Sequence, residues 1–108
     1  MRDPETDVHV PALCDVEVTA ALRRGIAEKL VSLSRAEEAL EDYLDLPLTR
    51  HGHQSLLSRV LQLRSNFSAY DATYVALAES LGAELLTADM PLLRAVETHT
   101  KISVQGQP

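Results

Sequence analysis

Short apolar runs alternate with helical stretches along most of this chain, and that alternation limits the folds open to it. Pro11 precedes a helical stretch from about Ala12 to Arg24, in which Leu13, Val16, Ala20 and Ala21 recur at helical spacing before Gly25. Ser34-Arg-Ala-Glu37 has the form of a capping box and predicts a second helix from about Arg35 to Leu44. Leu46-Pro-Leu-Thr49 reads as a brief strand, and Gln54 to Leu63 as a third helix. Ser68-Ala-Tyr-Asp71 opens a fourth helix with its stripe at Tyr74, Val75, Ala78 and Leu81, and Gly82 closes it. Glu84 to Thr87 then reads as a strand, Pro91 to about Val96 as a short helix, and Ile102 to Val104 as a last strand.

Helices interleaved with short apolar strands predict an α/β fold, a parallel sheet covered on both faces. The inventory is unbalanced, with no Val/Ile-rich strand read before the first helix, although such a sheet needs buried central strands. At 108 residues the chain is sized for one domain, with no linker, repeat or low-complexity segment. No apolar run approaches the ~20 residues of a membrane helix. The polar, acidic start is unlike a signal peptide, so a cytoplasmic protein is expected. Cys14 is the only cysteine and reads as a small core residue, which excludes an internal disulfide.

Three carboxylates occupy awkward positions. Glu17 falls on the apolar stripe of its own helix, either as a functional acid or as an edge position reaching water. Asp71 stands in the first turn of the fourth helix, where an acid also suits the cap and the helix dipole. Asp89 follows the apolar run Leu85-Leu86 and Thr87-Ala88, just beyond a strand's carboxyl end, where ligand sites gather in parallel sheets; it would equally serve as an N-cap. From Asp71 to Leu81 a helix rises about 16 Å, and from Glu84 to Asp89 an extended chain returns about 16 Å. The two lengths cancel, which brings Asp71 and Asp89 to one end of the sheet. Clustered carboxylates repel unless a cation neutralises them, and Mg²⁺ or Mn²⁺ prefers such oxygen ligands.

The run from Phe67 to Asp89 contains Tyr70-Asp71-Ala72 at a helix start, Ala76-Leu77-Ala78 within the helix and Leu86-Thr87-Ala88-Asp89 at a strand end. It resembles the C-terminal half of PIN-domain ribonucleases of the VapC toxin family. The segment Pro11 to Arg24 is similar to that family's helix bearing its second acid, and the likeness covers about Val10 to Val104. The resemblance implies a three-layer α/β/α fold with a central parallel sheet, filling residues 1–108 as one domain. It also implies a metal-dependent endoribonuclease, the toxin of a type II toxin–antitoxin pair.

Carried over by position, Glu17, Asp71 and Asp89 match three site acids that hold Mg²⁺ or Mn²⁺, and Thr87 matches the hydroxyl before the last acid. RNA as substrate, a VapB-type antitoxin and a homodimer are implied with them. A net charge of −6 is the wrong sign for broad contact with nucleic acid, but it suits a basic antitoxin tail. One departure is large: the family opens with a hydrophobic strand ending in aspartate, and neither Asp3 nor Asp7 follows such a strand. The chain is therefore expected to lack that first strand and to be N-terminally truncated. Expressed alone it is expected to be poorly stable, with little cleavage. The alternative is an inert PIN-like module that keeps only antitoxin or dimer contacts. His51-Gly-His53, Arg50, Arg59 and Arg64 are weaker candidates, the histidines for metal and the arginines for RNA phosphate.

Overall fold

The computed structural model describes residues 8–82, 85–87 and 104–106. They form two compact units, one ending at His51 and the other beginning at Gly52. In the first unit β1 (Val8–Pro11) leads into α1 (Leu13–Ala27), α2 (Leu33–Leu44) and β2 (Leu48–His51). In the second, a single 3₁₀ turn (Gln54–Leu56) precedes α3 (Leu57–Gln62), α4 (Ala69–Leu81), β3 (Leu85–Thr87) and β4 (Val104–Gly106). The helix read over Pro91 to Val96 lies outside the described residues, and of Ile102 to Val104 only the last residue is described.

The strands pair as the helix–strand alternation requires, in parallel. β1 runs beside β2 with Val8 opposite Leu48 and Pro11 opposite His51, and β3 beside β4 with Thr87 opposite Gly106. A short strand, β1, precedes the first helix where none was read, but it is not the hydrophobic strand ending in aspartate with which the family opens. Only Val8 and Val10 of its four residues are β-branched, too weak a local signal, and pairing with a strand 40 residues away fixes it. β1 consists of Val, His, Val and Pro and contributes no carboxylate.

Local chemistry explains most helix ends and corrects two. The cap of α2 is Ser32, whose Oγ accepts from the Arg35 backbone N–H, so Ser34 lies inside the helix. Gly25 does not stop α1, which continues to Ala27. A Cβ at Gly25 would stand 2.9 Å from Val31 Cγ1, so its bare α-carbon admits the chain returning toward α2. Termination falls instead to Lys29, held at φ 62°. α4 has both expected ends. Ser68 Oγ accepts from Asp71 N–H at 3.1 Å, and Gly82 takes the left-handed conformation that closes the helix.

The second unit holds the better-packed core. Ala72, Thr73 and the run Val75 to Ala78 are buried on α4, which is therefore enclosed around most of its circumference. Leu63, Phe67 and Val60 pack against Ala72, Val75 and Ala78, while Leu56 joins Ala76 and Leu77. Arg59 ties α3 to α4 through a two-pronged bond to Glu79, 2.7 Å from Nε to Oε1 and 2.9 Å from Nη2 to Oε2.

In the first unit α1 buries no residue fully. Its half-buried stripe is Leu13, Cys14, Glu17, Val18 and Leu22, so Val16, expected on the stripe, faces water with 66% of its surface exposed. A polar clasp joins three elements there. Tyr43 on α2 donates to Asp15 Oδ1 at 2.6 Å, and Arg50 Nε on β2 lies 2.9 and 3.0 Å from the two carboxylate oxygens. The Arg50 guanidinium also lies 5.6 Å from the centre of the Tyr43 ring.

The Tyr43 hydroxyl and then Arg50 hold the Asp15 carboxyl below its usual range. A carboxyl depressed in the folded chain adds stability above its unfolded value of about 3.9, and that contribution is lost as pH falls through the lowered native value. Asp15→Asn is therefore expected to lower the melting temperature most near neutrality, with the gap to wild type closing below about pH 4. Melting curves from pH 7 to 2 check this, and a gap independent of pH would contradict it. Ser68→Ala is expected to cost about 1 kcal/mol in thermal unfolding, while Ser68→Asp, which still caps, keeps most of that stability.

Candidate functional site

Asp71 occupies the third position of α4, its N–H held by the Ser68 hydroxyl and its side chain half-buried. Its place follows from the helix: the middle turns are buried, so carboxylates on α4 fall near its ends, Glu79 against Arg59 and Asp71 at the start, where exposed N–H groups also favour negative charge. β3 packs against α4, and the parallel pair β3–β4 ends at Thr87 opposite Gly106. Asp89 lies outside the described residues. Glu17 is half-buried on α1, on the same half-buried stripe as Leu13.

Glu17 belongs to the first unit, and Asp71 and Thr87 belong to the second. Among the described residues, no group of three or more His, Cys, Asp or Glu side chains could hold a metal ion. The donor set singled out by the sequence is carboxylate oxygen throughout, and its two described members are half-buried rather than fully solvated. That chemistry fits a hard divalent ion such as Mg²⁺ or Mn²⁺, which prefers oxygen and keeps part of its hydration shell.

Two polar constellations were not read from the sequence. One is the Asp15–Tyr43–Arg50 clasp. Burial, and then the bond to Asp15, hold the Tyr43 phenol well above its usual range, so it stays a hydrogen-bond donor. Arg50, a weak candidate for RNA phosphate, is committed to Asp15 instead, as Arg59 is to Glu79. The other is a pair of imidazoles, His9 Nδ1 and His51 Nε2, 2.8 Å apart. Sequence proximity singled out His53 as the partner of His51. The pleat and parallel register of β1 with β2 bring in His9, and that signal was lost with β1.

Arg64 lines an apolar cavity of about 370 Å³ in the second unit, together with Leu57, Val60, Leu61, Phe67 and Ala69. Its Nη1 donates to the Leu61 carbonyl at 3.2 Å. The cavity is built between α3 and the start of α4, and its exposed rim includes Leu57 and Leu61.

Comparison with known proteins identifies the family of the chain. The sequence profile of the PIN domain matches residues 1–97. The chain is similar to VapC ribonuclease Mb0985 of Mycobacterium bovis, at 38% identity over 97 residues that cover 90% of this chain and 76% of the relative. Ribonuclease VapC9 of Mycobacterium tuberculosis is similar to the same extent. Ribonuclease VapC3 of the same organism is 41% identical over 94 residues, covering 87% of this chain and 69% of the relative. With likeness of this degree running through both units, the chain belongs to the PIN-domain family, in its VapC branch.

Proposed function

We propose that this protein is the toxin of a type II toxin–antitoxin pair, an endoribonuclease that cleaves RNA with the help of a divalent ion. The observation that carries this reading is the 38% identity to a VapC ribonuclease over nine-tenths of the chain. Both units contribute to the family match, which supports treating residues 1–108 as one domain.

In this reading Glu17, Asp71 and Asp89 hold Mg²⁺, with Mn²⁺ an alternative of the same oxygen preference. When bound, such an ion supplies an activated water and offsets the charge that builds on a phosphodiester. The chain's own groups prepare the site. Ser68 fixes the backbone that carries Asp71, and the Thr87 hydroxyl orients a neighbouring ligand or water. The positive end of α4 adds to the attraction for an anionic phosphate.

Surface and charge support the partners of this reading. Val16, Leu30, Leu33, Leu44 and Leu46 in the first unit, and Leu57, Leu61 and Tyr70 in the second, are exposed apolar side chains. Such surface supports a homodimer and an apolar contact with a VapB-type antitoxin. The net charge of −6 suits a basic segment on that antitoxin. No helix among the described residues is long and apolar enough to cross a membrane. A cytoplasmic site of action fits an RNA target.

Asp71→Asn tests the site directly. Cleavage of a single-stranded RNA reporter in Mg²⁺, abolished by chelation, is expected to fall roughly 100-fold or more, since even groups behind a metal ligand cost ~10–100-fold. The melting temperature is expected to stay within a few degrees of wild type, because the backbone bond to Ser68 survives the change. A variant that cleaves at the wild-type rate would reduce Asp71 to a first-turn acid. A wild-type chain without metal-dependent cleavage would favour the inert module.

A further inference from the structure

The strand pair β1–β2 carries chemistry apart from the acids. Side chains alternate along a pleated strand, and His9 stands opposite Thr49 while Pro11 stands opposite His51. His9, Pro11, Thr49 and His51 thus share one face, whereas Arg50, with its partners Asp15 and Tyr43, takes the other. On the shared face the two imidazoles meet along a diagonal. Their ring centres are 5.1 Å apart with planes inclined at 41°, and Nδ1 of His9 lies 2.8 Å from Nε2 of His51. Both residues are half-buried, and Pro11, opposite His51 in register, is fully buried, which fixes the strand from which His9 projects.

Two ring nitrogens at this separation can share a proton, one ring donating its N–H to the other's lone pair. They can also share a cation. Two metal–nitrogen bonds of ~2.0–2.1 Å, at square-planar to tetrahedral angles, span ~2.9–3.3 Å between the nitrogens. That is a few tenths of an ångström more than the present gap, within reach of small side-chain rotations. We propose that His9 and His51 form a two-nitrogen site for a borderline divalent ion of the Zn²⁺, Cu²⁺ or Ni²⁺ class, with water completing its coordination. Imidazole nitrogen selects these ions over Mg²⁺, which separates the site chemically from the carboxylates. A bound ion bridges β1 and β2 and adds to the stability of the strand pair.

Titration calorimetry of the untagged chain with Zn²⁺, in excess Mg²⁺, is expected to give a single site per chain. His9→Gln and His51→Gln are each expected to weaken it roughly tenfold or more. His53→Gln and Asp71→Asn are expected to leave it unchanged. Unaltered Zn²⁺ binding in His9→Gln, or loss in His53→Gln, would overturn the proposal. Because His9→Gln also removes the bond across the strands, Cu²⁺ bound to the wild-type chain gives an independent measure. Its electron paramagnetic resonance spectrum should show splitting from two imidazole nitrogens, and splitting from one or none sinks the assignment.

Discussion

Helix α4 is stable only when enclosed, and that requirement organises the second unit. A helix buried at Ala72, Thr73 and Val75 through Ala78 has no broad polar face to give to water. Its alanines let neighbours come close, and Leu56, Leu63 and Phe67 fill the space around them. Thr73 can be buried because its hydroxyl donates back to the Ala69 carbonyl at 2.8 Å. Charged groups are thereby driven to the ends of the helix. Glu79 near the last turn is answered by Arg59, and Asp71 in the first turn stands where N–H groups face outward. The acid central to the proposed chemistry is thus placed by the packing of residues that have no part in that chemistry.

The first unit reverses this balance. Pro11 and Ala36 are its buried residues among those described, and several leucines and Val16 face water. Area burial supplies little there, so polar contacts define how its elements meet. Asp15 connects α1 to α2 through Tyr43 and to β2 through Arg50, while His9 and His51 join the two strands. Surface ion pairs contribute only ~0–1 kcal/mol each. The value of the clasp lies in geometry: one carboxylate accepts from two rigid donors and leaves few other arrangements open. The apolar side chains that remain outside are the ones a partner surface would cover at a gain.

What the sequence disclosed divides along the same line. Signals confined to a few neighbouring residues were legible, as with the Ser68 cap and the Gly82 turn, whereas the stripe read for α4 was too narrow: burial takes in most of the helix circumference, and Leu81 is exposed. Even there, competing local options misled: Ser32 and Ser34 both have the chemistry of a cap, and the loop from Ala27 to Ser32 decides between them. Gly25 has the look of a stop, yet it serves a close approach to Val31. Features made by pairing across tens of residues were not legible. β1 is too short and too mixed to announce itself, and without it neither the His9–His51 contact nor the Arg50 commitment can be foreseen. The family was legible because its motifs form an ordered set, and order over 90 residues survives where any one motif is ambiguous. Of the acids, Glu17 on its stripe and Asp71 at its helix start are where spacing put them, and Asp89 lies outside the described residues.

An acidic chain that works on a polyanion needs its attraction to be local. The ten basic residues are outnumbered by sixteen acidic ones, and Arg50 and Arg59 are already engaged by Asp15 and Glu79. Broad phosphate contact, which elsewhere supplies most nonspecific affinity, is therefore a poor account of how this protein would hold RNA. A divalent ion on a carboxylate cluster reverses the sign of the field over a few ångströms without changing the charge of the rest of the surface. The remainder stays acidic and free to attract a basic partner at longer range. In the proposed reading, the opposed demands of an RNA substrate and a basic antitoxin would be met by separating them in distance, with the short-range field set by the ion and the long-range field set by the chain.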